Sequence, residues 1–122
     1  MHFLQQLGLG GILADDMGLG KTIQAIAFSS QLKGPEPVLV VGPTNVIYNW
    51  EHEIKKFLPG SKVLVYTGSD RSALVKKLSK VDFIITSFGV LKNDNEVLNP
   101  IAFKAIFIDE AHRFRNELNM IY

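Results

Sequence analysis

Residue types that could bind phosphate stand near the start of the chain, in the run Met17, Gly18, Leu19, Gly20, Lys21 and Thr22. Glycines before a helix let successive backbone N–H groups point at phosphate oxygens, and the helix N-terminus adds the positive end of its dipole. In such a loop the lysine reaches the β- and γ-phosphates and the threonine hydroxyl binds Mg²⁺. Asp15 stands where the strict pattern has glycine. An ordinary glycine-rich turn with an incidental lysine is the alternative interpretation.

An acidic pair that could complete a nucleotide site lies far along the chain, in the stretch Ile-Asp-Glu-Ala-His that ends at His112. Mg²⁺ needs a carboxylate, and an attacking water needs a base or an orienting group. Asp109 is therefore predicted to bind Mg²⁺, directly or through water, and Glu110 to position and polarise the water. The alternative is a strand that simply ends in polar residues, and the presence of the glycine-rich loop argues against it.

Several other kinds of site find no support in the sequence. The chain has no cysteine, which excludes disulfides and thiolate metal sites. The three histidines lack the spacing of zinc ligands, and no Asn-Lys-x-Asp motif for reading guanine occurs. A small-molecule kinase stays open on these residues alone, because the loop does not identify the acceptor of a phosphoryl group.

The composition indicates one globular domain with 122 residues, 47% hydrophobic residues and a net charge of +1. This charge neither indicates nor excludes a nucleic-acid partner, since a basic surface can be local. No apolar run reaches the roughly 18 residues of a membrane span, and the N-terminus lacks the features of a secretory signal. We therefore expect no membrane association and an intracellular location, in a bacterial cytoplasm or nucleoid or in a eukaryotic nucleus.

Short apolar runs alternate with amphipathic segments, which sets the fold class. Buried strands are predicted over 11–14, 38–41, 62–66, 81–86 and 105–108. Helical patterns lie between them, over 21–32, 44–57 and 71–78. This alternation predicts an α/β protein with a parallel sheet flanked by helices. Ligands of such sheets bind at the carboxyl ends of the strands, where both the glycine-rich loop and the acidic pair fall.

The second helical pattern carries the only tryptophan of the chain. Ile47, Trp50, Ile54 and Phe57 recur at the spacing of one helix face. Trp50 is therefore expected in the core rather than as a platform on which bases stack. In the third pattern, Asp70 is the predicted N-cap, and Ala73, Leu74 and Leu78 are predicted to face inward.

Five stretches together resemble the motifs of the Swi/Snf-like ATPases, which are double-stranded-DNA translocases of helicase superfamily two. The stretches are GGILADDMGLGKTIQAI, VVGPTNVIYNWEHEIKKFLP, VYTGSDR, DFIITSFGVLKND and IDEAHRFRN. In that family the form Asp-x-Met-Gly-Leu-Gly-Lys-Thr is normal, so Asp15, two residues before Met17, is the expected variant. Phe88 stands where tyrosine is more usual, and Phe114-Arg115 stands where Ile-Lys is commoner. RNA helicases of the DEAH type share the acidic motif but have a different phosphate loop.

The resemblance implies a P-loop NTPase fold of the RecA-like class and an ATP hydrolase that moves along duplex DNA. It implies ATP and Mg²⁺ as cofactors, held by the phosphate loop, with Lys21, Asp109 and Glu110 as the catalytic residues. It also implies that the DNA phosphate backbone is contacted without sequence preference by Pro43, Thr44, Thr86 and Ser87. For Thr44, a role as a helix N-cap is an equal alternative.

The resemblance further implies that residues 1–122 form a partial N-terminal lobe, cut off after the acidic motif. The second RecA-like lobe, with its arginine finger, is then expected outside this sequence, and the fragment alone is expected to be inactive. In RecA-like lobes the next strand usually inserts between the phosphate-loop strand and the acidic-motif strand. We therefore expect a gap in the sheet, or strand exchange with another copy. The remaining alternatives are an RNA helicase, a P-loop kinase and a non-enzymatic binding module.

Overall fold

A computed structural model describes the backbone of residues 11–14 and 19–109 and the side chains of residues 22–109. Strands and helices alternate through these ranges, as the sequence predicts. The elements in chain order are β1 (Gly11–Ala14), α1 (Leu19–Gln31), β2 (Val38–Gly42), α2 (Thr44–Phe57), β3 (Val63–Val65), a 3₁₀ helix (Arg71–Lys80), β4 (Phe83–Ser87), α3 (Phe88–Asn93), α4 (Asn95–Leu98) and β5 (Ala105–Asp109). The predicted α/β fold class is confirmed.

The strands form one parallel sheet in the order β1-β5-β2-β4-β3. The neighbouring strands β5 and β2 are buried along their whole length, as is β4 except at its last residue, because helices cover both faces of the sheet. The edge strand β3 is only half-buried. Burial on both faces explains why the inner strands read as continuous apolar runs rather than as alternating patterns.

The expected gap beside the acidic-motif strand is absent from the described sheet. β1 pairs directly with β5, from Gly11 opposite Ile106 to Ala14 opposite Asp109. Direct pairing satisfies backbone N–H and C=O groups that a gap would leave exposed along β5. The expectation of a gap was therefore wrong, and the argument for strand exchange between copies does not hold for this sheet.

Alternate residues of β2, β3, β4 and β5 pack into two separate cores. On one face, α1 and α2 cover a core that includes Ile26, Ile47, Trp50, Ile54 and Phe107. On the other face, the 3₁₀ helix, α3 and α4 cover a second core that includes Tyr66, Leu78, Phe88, Leu91 and Leu98. The predicted inner face of α2 is confirmed at three positions, whereas Phe57 at the helix end is 43% exposed.

The segment after β3 departs from its predicted geometry. Arg71–Lys80 is a 3₁₀ helix, and Asp70 at its N-cap makes no side-chain capping bond. With three residues per turn instead of 3.6, the helical spacing predicted for this segment does not apply. Leu78 is buried and Leu74 is half-buried, but Ala73 is exposed, so its predicted inward position was wrong. Within the described ranges, no helix combines the length and the apolar character that crossing a bilayer requires.

Candidate nucleotide and DNA site

The strand that precedes the predicted phosphate loop and the strand that ends in Asp109 are neighbours in the sheet. β1 ends at Ala14, whose register partner is Asp109 at the end of β5. α1 begins at Leu19, so the backbone of Gly20, Lys21 and Thr22 forms its first turn. The structure describes only the backbone of residues 19–21. It does not describe Met17, Gly18 or Glu110.

The donor chemistry at this edge fits Mg²⁺ bound together with phosphate. Thr22 is 2% exposed and Asp109 is 3% exposed, and each carries an oxygen ligand of the kind Mg²⁺ prefers. Among the described residues, no group of three His, Cys, Asp or Glu side chains could hold a metal. Mg²⁺ usually takes one or two carboxylates and completes its shell with water and substrate phosphates. Thr22 and Asp109 therefore suit a metal that arrives with a nucleotide.

Asp109 accepts a hydrogen bond from a side chain that sequence reasoning did not connect to the site. The indole N–H of Trp50 donates to Asp109 Oδ2 at 3.0 Å, and Trp50 is 1% exposed. The indole also stacks on Phe107, with ring centroids 6.3 Å apart and planes 24° apart. The donor and the acceptor are 59 residues apart in sequence, so no local pattern could have paired them.

Gly42, at the end of β2, allows close packing against the same aspartate. A Cβ at Gly42 would lie 2.9 Å from Val46 Cγ2 and 3.3 Å from Asp109 Cβ. Both distances are shorter than ordinary van der Waals contact, so a side chain here would push on α2 and on Asp109. Glycine is therefore required at position 42 because Val46 and Asp109 lie so close to its Cα, and not because of its backbone conformation.

The four predicted DNA contacts lie at the ends of two adjacent strands. Gly42, which precedes Pro43, is opposite Ser87 in the β2–β4 register. Pro43 is the N-cap of α2, so Thr44 is its exposed first residue and not its cap. The Thr86 hydroxyl is buried and donates to the Tyr66 carbonyl at 2.7 Å. Ser87 caps α3, where its Oγ accepts from the Val90 N–H at 3.2 Å. The role of these residues on DNA stays a prediction.

A polar cluster that the sequence did not reveal lies just beyond β3, at the same edge. Asp94 accepts from the Tyr66 hydroxyl at 2.7 Å and from the Arg71 guanidinium through both oxygens, at 2.7 and 3.0 Å. Arg71 also donates to the Gly68 carbonyl at 3.0 Å. The cluster ties the loop after β3 to the end of α3.

The ionisation of the cluster follows from burial and from these bonds. Burial, and then the hydrogen bond to Asp94, raises the pKa of the Tyr66 phenol to about 12. The bond from Arg71 is the largest cause that lowers the pKa of Asp94. The cluster therefore holds a neutral tyrosine beside an ionised aspartate across the physiological pH range.

A comparison with known protein families identifies the family of this chain. The family described as the SNF2-related domain matches residues 1–122. The chain belongs to this family. Its fold is accordingly that of the SNF2 ATPase core, a RecA-like P-loop fold.

Individual relatives agree with the family assignment. This SNF2-related domain is 38% identical to "Switch 2" of Arabidopsis thaliana, over all of this chain and 16% of that protein. It is 42% identical to "ATP-dependent DNA helicase DDM1" of the same plant, over 93% of this chain and 16% of that protein. A solved structure, the "Sulfolobus solfataricus SWI2/SNF2 ATPase core in complex with dsDNA", matches 98% of this chain and 26% of its own, with 37% identity and a TM-score of 0.73. The chain thus spans about a sixth of these two plant relatives.

Replacing Gly42 by alanine tests the packing of β2 against Asp109. We expect Gly42→Ala to destabilise the fold by about 1–3 kcal/mol, because the new methyl group crowds Val46 and Asp109. Thermal unfolding measures the loss. Gly89→Ala is the matched control, since its Cβ meets nothing within 4 Å. Equal unfolding midpoints in the two variants would contradict the packing argument.

The Tyr66 phenol is expected to ionise at a higher pH than a free tyrosine. Absorbance at 295 nm should show one tyrosine that ionises near pH 12 in the folded chain, and Tyr66→Phe should remove that step. Because the unfolded phenol titrates near pH 10, the neutral phenol stabilises the fold below pH 10, and this contribution is lost as the pH rises from 10 to about 12. Tyr48→Phe is the control, since Tyr48 is 56% exposed. A late step that survives in Tyr66→Phe would contradict the assignment.

Proposed function

We propose that this SNF2-related domain is the ATP-binding lobe of an enzyme that hydrolyses ATP in response to duplex DNA and moves along it. The observation that carries the proposal is the register of β1 and β5, which places Asp109 beside the strand end from which the chain leads into α1. A phosphate loop and an acidic strand end at one sheet edge are the two parts that phosphoryl transfer requires. The 37% sequence identity to the Sulfolobus solfataricus SWI2/SNF2 ATPase core, whose structure was solved with dsDNA, supports duplex DNA as the polymer.

We assign the nucleotide contacts to the first turn of α1 and the segment before it. The phosphates are bound by Met17, Gly18, Leu19, Gly20, Lys21 and Thr22. Thr22 and Asp109 would hold the metal through oxygen atoms, and Glu110 would orient the attacking water. When bound, Mg²⁺ would neutralise the charge that develops on the phosphates.

We assign the DNA contacts to the ends of β2 and β4. Thr44 is exposed at the start of α2, where its hydroxyl and the nearby backbone can meet a phosphate. The Ser87 oxygen accepts from Val90, and a hydroxyl that accepts one bond can still donate its proton. The Thr86 hydroxyl already donates to Tyr66, so Thr86 contributes by shaping the strand end. Phosphate contacts of this kind carry no sequence preference.

The whole enzyme is proposed to contain a second RecA-like lobe, which would complete the ATP site with an arginine finger. The small share of the relatives that this chain covers leaves room for such a lobe. On this proposal the 122-residue chain alone binds nucleotide weakly and hydrolyses ATP no faster than a blank.

The test is ATP hydrolysis by the intact protein without polymer and with duplex DNA, single-stranded DNA or RNA. We expect strong stimulation by duplex DNA and a loss of about 10²-fold or more in Lys21→Ala, because this lysine stabilises phosphate charge in the transition state. Lys33→Ala is the matched control, since Lys33 is exposed beyond the end of α1. Stimulation by RNA alone would indicate an RNA helicase. Full activity in Lys21→Ala would overturn the proposed site.

A further inference from the structure

We infer that Trp50 is a positioning residue for the ATPase site and that its indole N–H fixes the orientation of the Asp109 carboxylate for the metal. This inference rests on the function proposed above and adds to it a residue outside the predicted site. The geometry comes from one buried contact, the 3.0 Å bond between the Trp50 N–H and Asp109 Oδ2.

The bond is held rigidly from the Trp50 side. The indole is 1% exposed and stacks on Phe107, which lies two residues before Asp109 on the same strand. Phe107 in turn makes an edge contact with Phe28 of α1, with centroids 6.4 Å apart and planes 88° apart. A buried side chain that packs closely against its neighbours keeps one rotamer, so the N–H of Trp50 points in one direction.

The bond also suits a carboxylate that binds a metal. An indole nitrogen only donates, so its partner must be an acceptor oxygen, which a carboxylate supplies. One hydrogen bond uses one of about four lone-pair positions of a carboxylate, so metal binding and the Trp50 bond are compatible. Partners that orient a metal ligand in this way typically change metal affinity or activity by 10–100-fold when they are removed.

The N–H can be removed without changing the shape of the side chain. In the intact protein, Trp50 is replaced by its benzothienyl analogue, in which sulfur takes the place of N–H and the ring system is kept. Trp50→Phe is the second variant, which keeps an aromatic ring on Phe107. Binding of Mn²⁺ in the presence of ADP is measured by electron paramagnetic resonance, together with the Mg²⁺ concentration that gives half-maximal hydrolysis and the unfolding midpoint.

We expect the analogue to weaken Mn²⁺ binding by about tenfold or more, with a matching rise in the Mg²⁺ requirement and little change in the unfolding midpoint. In an Asp109→Asn background the same replacement should change Mn²⁺ binding no further, because the oriented carboxylate is already gone. Restoring tryptophan by the same incorporation method should restore the affinity.

Two results would overturn the inference in distinguishable ways. Wild-type Mn²⁺ binding in both Trp50 variants would show that Trp50 only fills the core, while the proposed function stands. No metal-dependent nucleotide binding in the wild-type protein would contradict the proposed function and the inference together.

Discussion

Asp109→Asn is expected to reduce DNA-stimulated ATP hydrolysis by the intact protein by about 10²–10³-fold. The change removes the negative charge that the proposed metal requires and keeps the size of the side chain. The asparagine carbonyl can still accept the hydrogen bond from Trp50, so the fold should survive. Steady-state hydrolysis at saturating duplex DNA measures the loss, and the unfolding midpoint reports on the fold.

The matched control for this change is Asp70→Asn. Asp70 is exposed at the start of the 3₁₀ helix and makes no capping bond, so the control should keep wild-type activity. Hydrolysis near the wild-type rate in Asp109→Asn, with duplex binding intact, would show that this carboxylate does not serve the reaction.

Phe107→Ala is expected to have the largest effect on stability, about 3–5 kcal/mol. Phe107 is 2% exposed in the middle of β5, where it stacks on Trp50 and makes an edge contact with Phe28. Its removal leaves a cavity between β5 and the two helices on that face. A loss of this size is a large part of the stability of a typical domain and should lower the unfolding midpoint by roughly 10–20 °C.

Tyr48→Ala is the control for removing an aromatic ring. Tyr48 is 56% exposed on α2, so its loss should change the free energy of unfolding by no more than about 0.5 kcal/mol. Equal unfolding midpoints for Phe107→Ala and the wild-type chain would mean that the core on this face is not packed as described.

The positions of the strands were predictable from the sequence, whereas the order in which the strands pair in the sheet was not. β2, β4 and β5 lie between covered faces, so they must be continuously apolar, and such runs are visible in a sequence. Pairing depends on which backbone edges meet, and no single strand carries that information. This is why the direct pairing of β1 with β5 contradicted the expected gap. The helices α3 and α4 have six and four residues, too few to show a helical period.

The site was predictable where chemistry is concentrated in short motifs. Thr22 follows Gly20 and Lys21 in the first turn of α1, and Asp109 ends β5; both side chains are buried. Trp50 was predicted only as a core residue, since helical spacing indicates burial but not the acceptor of an indole N–H. Arg71 and Asp94 appear in the sequence as ordinary polar residues, and only the chain path brings them to Tyr66.

Movement along duplex DNA is the central claim, and displacement of a third strand from a triplex tests it most directly. The intact protein is loaded on a duplex that flanks a triplex, and release of the third strand is followed with ATP, without ATP and with the Asp109→Asn variant. We predict release that requires ATP hydrolysis and is lost in the variant. Duplex-stimulated ATP hydrolysis without any release of the third strand would contradict the claim that hydrolysis drives movement along DNA.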